Sequence, residues 1–215
     1  MFARIGRLLS PLLLALAFLQ APAQAAAPAA QTPAPVLLVQ HLTDSVMDAA
    51  RSDPRLKAGD ASHIEQLVQT KVLPYLDFER MTASAVGPFW RRATPQQRQE
   101  LQQQFKELLI HTYSHAIREI GDQKVQYLPL RAAPDATNVV VHTRVLNDGE
   151  LIQLSYRVVK LGDAWKIADV NVMGVWLVDN YRGVFAEEIN SKGIDGLIHL
   201  LEQRNQALAK AQGAS

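Results

Sequence analysis

The chain has 215 residues, 48% hydrophobic and 20% charged, with 22 Lys and Arg against 21 Asp and Glu and no cysteine. That length supports one domain with a real core or two small ones, and a net charge of +1 gives no electrostatic footprint for nucleic acid. The missing cysteine excludes disulfides, a catalytic thiol, thiolate metal sites and a lipid anchor on cysteine.

Arg4 and Arg7 form a basic start, followed by the apolar stretch LLSPLLLALAFL at residues 8–19 and the small-x-small site Ala23-Gln24-Ala25. This is the pattern of a cleaved export signal over residues 1–25. A membrane anchor needs about 20 apolar residues, and this run holds Pro11 and stops at Gln20. The mature protein is therefore expected to be periplasmic and not membrane-spanning. Residues 26–35 (AAPAAQTPAP) read as a flexible Ala/Pro linker, leaving residues 36–210 as a single domain.

Residues 36–51 predict a helix with Leu38, Leu42 and Val46 on one face. Ser62-His63-Ile64-Glu65 reads as a capping box, opening a helix that must end near Pro74. A short helix is expected over residues 78–86, closed by Gly87 and Pro88. Thr94-Pro95-Gln96-Gln97 is a second capping box with proline at the first helical position. The long helix after it runs to Gly121 and carries Leu101, Phe105, Leu108, Leu109, Thr112, Tyr113, Ala116, Ile117 and Ile120 on one face.

From Lys124 the apolar period becomes two. Val125 and Tyr127 start a strand that Pro129 disrupts or places at an edge. Val139, Val141, Thr143 and Val145 share one face of a second strand. After the turn Asn147-Asp148-Gly149, Ile152, Leu154, Tyr156 and Val158 continue that face. Gly162-Asp163 turns into a fourth strand over residues 165–177, with Val170 and Val172 inward. Arg144, Gln153, Ser155 and Arg157 fall on the opposite parity. Helices near residues 181–190 and 194–208, separated by Gly193, end the chain. Helices first and a meander afterwards define an α+β fold: a curved antiparallel sheet of about four strands wrapped by helices, forming a cone.

Catalytic signatures are missing: there is no Gly-rich phosphate loop, no Gly-x-Ser-x-Gly and no His-Glu-x-x-His. His111 and His115 have metal-ligand spacing but no convergent third ligand, so no metal and no cofactor are expected. Asp169 reads as a buried, hydrogen-bonded carboxylate. It or Tyr156, inside an apolar cone, is the candidate acid or base of an enzymatic alternative; a peptide-binding module with an open groove is another. Apolar surface is abundant, and a curved sheet facing helices either fills its interior or leaves a ligand cavity. Periodicity does not separate the two.

The stretch AWKIADVNVMGVWLVDNYRGVFAEEINSKGIDGLIHLL at residues 164–201 resembles the signature of the MlaC family of periplasmic phospholipid-binding carriers. The pieces that carry this are Trp165-Lys166-Ile167, Asp169-Val170, Gly174-Val175, Leu177, Asn180-Tyr181-Arg182, Phe185 and Gly193-Ile194-Asp195-Gly196-Leu197. Asp77-Phe78-Glu79-Arg80-Met81, Phe89-Trp90 and the Thr94 box also resemble it. The chain departs from the family pattern at Met173, where an acidic residue is usual, and at Trp176, where a small one is.

The resemblance implies a helical layer over a curved sheet enclosing a hydrophobic pocket for acyl chains, without catalysis. It also implies carriage of phospholipid between an outer-membrane lipoprotein–porin complex and an inner-membrane ABC transporter with an MCE-domain ring, maintaining outer-membrane lipid asymmetry. Combined with strand and helix parity, it places the pocket among Phe78, Met81, Phe89, Trp90, Phe105, Leu109, Tyr113, Val139, Val141, Ile152, Leu154, Tyr156, Val170, Val172, Val175 and Trp176.

Overall fold

The computed structural model describes residues 32–147 and 149–213. The expected export signal, the linker up to residue 31 and Asp148 lie outside the described residues.

The domain opens with α1, Ala34–Ser52, whose start takes in the last two residues of the expected linker. Asp53 then caps the single turn α2, Pro54–Lys57, by accepting from the Arg55 N–H. Helix α3, Ala61–Leu67, is capped two residues earlier than the sequence suggests. The Asp60 carboxylate, not Ser62, accepts the Ser62 and His63 N–H groups, because an aspartate at this position reaches two orphan amides at once. Hydrogen bonds from the Ser62 hydroxyl first, then the His63 side chain and the His63 N–H, hold the Asp60 carboxyl well below its usual range. The helix widens into a π turn at Val68–Val72 and tightens into a 3₁₀ turn at Leu73–Tyr75, where Pro74 ends it.

Helix α4, Phe78–Val86, is capped by Asp77 and followed by a 3₁₀ turn, Gly87–Arg92. Helix α5, Pro95–Arg118, begins at Thr94 with both reciprocal capping-box bonds in place. Its 24 residues span about 36 Å, enough to serve two different neighbourhoods.

Five antiparallel strands follow in the order β1-β2-β3-β4-β5: β1 Lys124–Tyr127, β2 Asn138–Asn147, β3 Glu150–Leu161, β4 Ala164–Val172 and β5 Val175–Trp176. Strand β1 is an edge strand and stops two residues before Pro129. The β2–β3 hairpin pairs Asn147 with Glu150. A bulge at Ala168 opposite Arg157/Val158 lets Ile167 and Val170 share the inner face and adds local bend.

The expected single strand over residues 165–177 is in fact a tight hairpin, with Val172 paired to Val175. The two central residues, Met173 (φ 51) and Gly174 (φ 94), both have positive φ, as a two-residue turn between right-twisted strands demands. Met173 is the only described non-glycine residue in that region.

Helix α6, Leu177–Gly213, is broken once, at Gly193 (φ 75, ψ −178), where the sequence analysis separated two helices. Asp169 anchors its start. Its Oδ1 accepts from the Val170 N–H at 2.9 Å and the Val178 N–H at 3.1 Å, and its Oδ2 lies 3.2 Å from Arg157 Nη1. Burial pushes the Asp169 carboxyl above its ordinary value, against the pull of those two amides and the guanidinium.

The buried side chains form two main clusters. One lies among the helices: Met81 and Ala85 of α4, Leu101, Phe105 and Leu108 of α5, and Tyr181, Phe185, Leu197 and Leu201 of α6. The other lies between α1 and the inner sheet face: Val36, Val39 and Leu42 against Val139, Val141, Tyr156, Val158 and Ile167.

Candidate functional site

The sequence-predicted pocket residues divide between these regions. Phe78, Met81, Phe89, Trp90, Phe105 and Leu109 all belong to the helical cluster and line no part of the apolar cavity described below. The Phe105 ring packs against Phe78, Tyr181 and Phe185 at centroid distances of 5.9, 5.1 and 5.3 Å, which fills the space a ligand would need. Val139 and Val141 are buried under α1 and Val170 packs beside them, again without open volume. Val175 is 53% exposed on the edge strand. Trp176 turns outward, its ring 4.5 Å beneath the Arg157 guanidinium.

The remaining five, Tyr113, Ile152, Leu154, Tyr156 and Val172, come together on one wall system. They line an apolar cavity of about 540 Å³ between the inner sheet face, α1 and the C-terminal half of α5. Sequence reasoning did not assign the other side of this cavity: Leu42, Val46 and Met47 of α1, Val72 of the π turn, Ala116 of α5, Ile120 just beyond its end, and Val125 and Val145 of the first two strands. The signal was present for most of them, since Leu42 and Val46 share a helix face and Val145 shares the parity of Val141.

The cavity's chemistry is simple. Its walls are mostly hydrocarbon, with Thr43 and the part-buried Tyr113 among them and polar groups gathered at two further places. Deep inside, Tyr156 is 9% exposed, and burial pushes its phenol up to about 12, tempered by a hydrogen bond with Thr143. At the rim stand Glu119, Gln123 and Asn147. Gln123 Nε2 donates to the Glu119 carbonyl at 2.7 Å and to Asn147 Oδ1 at 2.9 Å, so α5, β1 and β2 are tied at the opening.

Among the described residues no group of three or more His, Asp or Glu side chains is placed to hold a metal ion. His111 Nδ1 instead meets Gln212 Oε1 at 3.0 Å, and His115 Nδ1 accepts from Arg118 Nη2 at 2.8 Å.

Fold and cavity define a small α+β protein built around an apolar recess large enough for a ligand. The chain belongs to the MlaC family: the family model, described as MlaC protein, matches residues 40–203. It is 21% identical over 173 residues to the intermembrane phospholipid transport system binding protein MlaC of Haemophilus influenzae, covering 79% of this chain and 81% of that one. It is 27% identical to a toluene tolerance protein of Pseudomonas putida, covering 78% and 77%. A solved structure of a phospholipid-binding protein from Ralstonia solanacearum, in complex with a phospholipid, superposes with a TM-score of 0.80 at 42% identity, covering 83% of this chain and 99% of that one.

Proposed function

We propose that the protein is a periplasmic phospholipid carrier. It takes up lipid with the acyl chains in the cavity beneath α1 and exchanges it between an outer-membrane lipoprotein–porin complex and an inner-membrane MCE-domain ABC transporter. That exchange maintains outer-membrane lipid asymmetry. The observation that carries this reading is the apolar cavity between the inner sheet face, α1 and α5. Family membership supports it, as does the structural neighbour bound to a phospholipid. Export supports the periplasmic setting, through the signal pattern of residues 1–25. Among the described residues no helix is long and apolar enough to cross a membrane.

The physical need for a carrier is large. At about 0.8 kcal/mol per buried methylene, the roughly thirty methylenes of a two-chain lipid hold it in a bilayer by ~24 kcal/mol. A cavity that shelters the chains makes transfer between membranes nearly neutral, and the headgroup stays in water.

The enzymatic alternative offered Asp169 or Tyr156 as acid or base, and of these two only Tyr156 lines the cavity. A general acid or base works best with a pKa near the working pH. Burial moves this phenol the other way, to about 12, which suits a hydrogen-bonded wall residue and not a proton carrier. The carrier reading is tested by native mass spectrometry of protein purified from cells under non-denaturing conditions. The expected result is one phospholipid per chain; protein uniformly free of lipid after both gentle purification and incubation with phospholipid vesicles overturns it.

A further inference from the structure

Helix α1 covers the inner face of the sheet, and the start of α6 covers the outer side of β4 at Asp169. The outer face of β1–β3 is bare: none of its outward residues from Lys124 to Gln126, Val140 to Leu146 or Leu151 to Arg157 is buried. At the hairpin end Lys124 stands beside Leu146, and Leu146 beside Leu151, with Arg144 and then Arg157 further along. Both leucines are 48% exposed. Three fixed cations, Lys124, Arg144 and Arg157, therefore lie on this face, and no outward position of β1–β3 is acidic. Glu150 pairs with Asn147 on the inward parity, and Asp122 reaches the other way, to Arg51 of α1 at 4.0 Å.

The cationic character continues past Arg157. A recess of about 260 Å³ beside it is lined by Arg80, Arg182, Ser84 and Asn138. The carboxylates nearby are already engaged. Asp169 accepts from two amides and from Arg157, and Asp179 pairs with Arg182 at 3.1 Å. Trp176 stacks on the Arg157 guanidinium at 4.5 Å. Arginine and tryptophan together are the side chains that anchor protein–protein contacts.

We infer that the outer face of β1–β3, with the arginine recess beside it, docks an acidic surface of the protein that supplies or receives the lipid. This rests on the carrier reading above. Charge favours an anionic occupant, and the position of the cavity mouth decides which kind. Glu119, Gln123 and Asn147 mark the rim at the hairpin end, and the cavity lies on the inner side of the sheet. An anionic bilayer pressed on the outer face meets the side with no opening. A protein can hold the carrier by that face and leave the mouth free to pass lipid. The face measures about 27 Å along β2 and about 14 Å across the strands. At ~400 Å² it has the size of a transient contact, as repeated docking and release require.

The experiment measures binding of lipid-loaded protein to the two complexes proposed above, each purified into nanodiscs, and to vesicles of phosphatidylethanolamine and phosphatidylglycerol. Wild type is expected to bind at least one complex, more weakly as salt rises from about 0.05 to about 0.5 M. Lys124→Glu/Arg144→Glu should bind at least about tenfold more weakly at low salt, with lipid loading and melting temperature unchanged. Lys57→Glu/Lys210→Glu makes the same charge change at exposed helical positions away from the sheet and should bind like wild type. An equal loss in both double variants assigns the effect to net charge and overturns the inference. Undiminished binding by Lys124→Glu/Arg144→Glu, or wild type that binds the vesicles alone or binds nothing, also overturns it. In each of these cases protein that still carries phospholipid leaves the carrier reading intact. Protein that takes up no phospholipid overturns that reading instead.

Discussion

Leu154 and Val141 sit on the same inner sheet face, yet replacing each with tryptophan should have opposite consequences. Leu154 faces open volume in the cavity of about 540 Å³. Tryptophan carries about six more heavy atoms than leucine, so it takes the room of about six methylenes, worth ~5 kcal/mol of chain burial at 0.8 each. If the acyl chain recovers half by shifting, about 2.4 kcal/mol is lost, which is roughly fiftyfold in lipid affinity. The delipidated fold has room for the ring and should melt within about 2 °C of wild type. Val141 is 1% exposed beneath α1, with no cavity to accept added bulk. Tryptophan there overpacks the layer at a cost of about 1–3 kcal/mol, or roughly 3–10 °C in Tm. The assay pairs thermal melting of delipidated protein with mass spectrometry of lipid retained after vesicle exchange. If Leu154→Trp keeps its lipid, or destabilises the delipidated fold as much as Val141→Trp does, the cavity is misplaced.

Phe105→Ala removes the ring at the centre of the helical cluster, fully buried among Phe78, Tyr181 and Phe185. It should cost about 3–5 kcal/mol of stability while the folded fraction still loads lipid normally, as measured by denaturant unfolding and lipid retention side by side. Met173→Asn relieves a positive φ of 51 at a side chain that is 63% exposed. Urea unfolding should show a gain of about 0.5–1 kcal/mol, and no gain would mean that the turn carries no strain. Tyr156, with a phenol pushed from 10.0 to about 12, keeps its proton in the fold at a pH where the unfolded chain loses it. The native state then binds more protons than the unfolded one, so this contribution is intact below pH 10 and lost as pH rises towards 12. At ~1.4 kcal/mol per pH unit the loss is about 3 kcal/mol, and Tyr156→Phe should be measurably flatter than wild type in stability over that window.

Local chemistry was legible wherever one residue type has one structural use. The Thr94 capping box, the turn before Glu150 and the break at Gly193 all follow from their residues. The start of α3 did not, because Asp60 and Ser62 are both good caps, and the choice depends on which side chain reaches two amides. The β4–β5 hairpin was hidden because Met173-Gly174 lacks the asparagine or aspartate that usually marks such a turn, leaving an apparently unbroken apolar run from Trp165 to Leu177. At the site, strand parity identified the inner face, including Ile152, Leu154, Tyr156 and Val172. Periodicity is blind to what lies opposite, so it could not tell that α4 meets a filled cluster while α1 and the end of α5 meet a hollow.

Helix α5 shows why both can hold in one small domain. Its apolar face is continuous in sequence, but Leu101, Phe105 and Leu108 are packed into α4 and α6, whereas Tyr113 and Ala116 border open volume, as does Ile120 just past the helix end. A hollow interior forgoes the dispersion contacts and burial that a filled one supplies. Here the forgone contacts are confined to one end of the domain, and the aromatic cluster at the other end keeps the helices in place whether or not the cavity is occupied. Asp169 joins the two ends. From the outer side of β4 it accepts the Val178 N–H at the start of α6, while its neighbour Val170 packs into the layer beneath α1. Whether or not the cavity is occupied, the helical cluster of α4, α5 and α6 keeps its own packing.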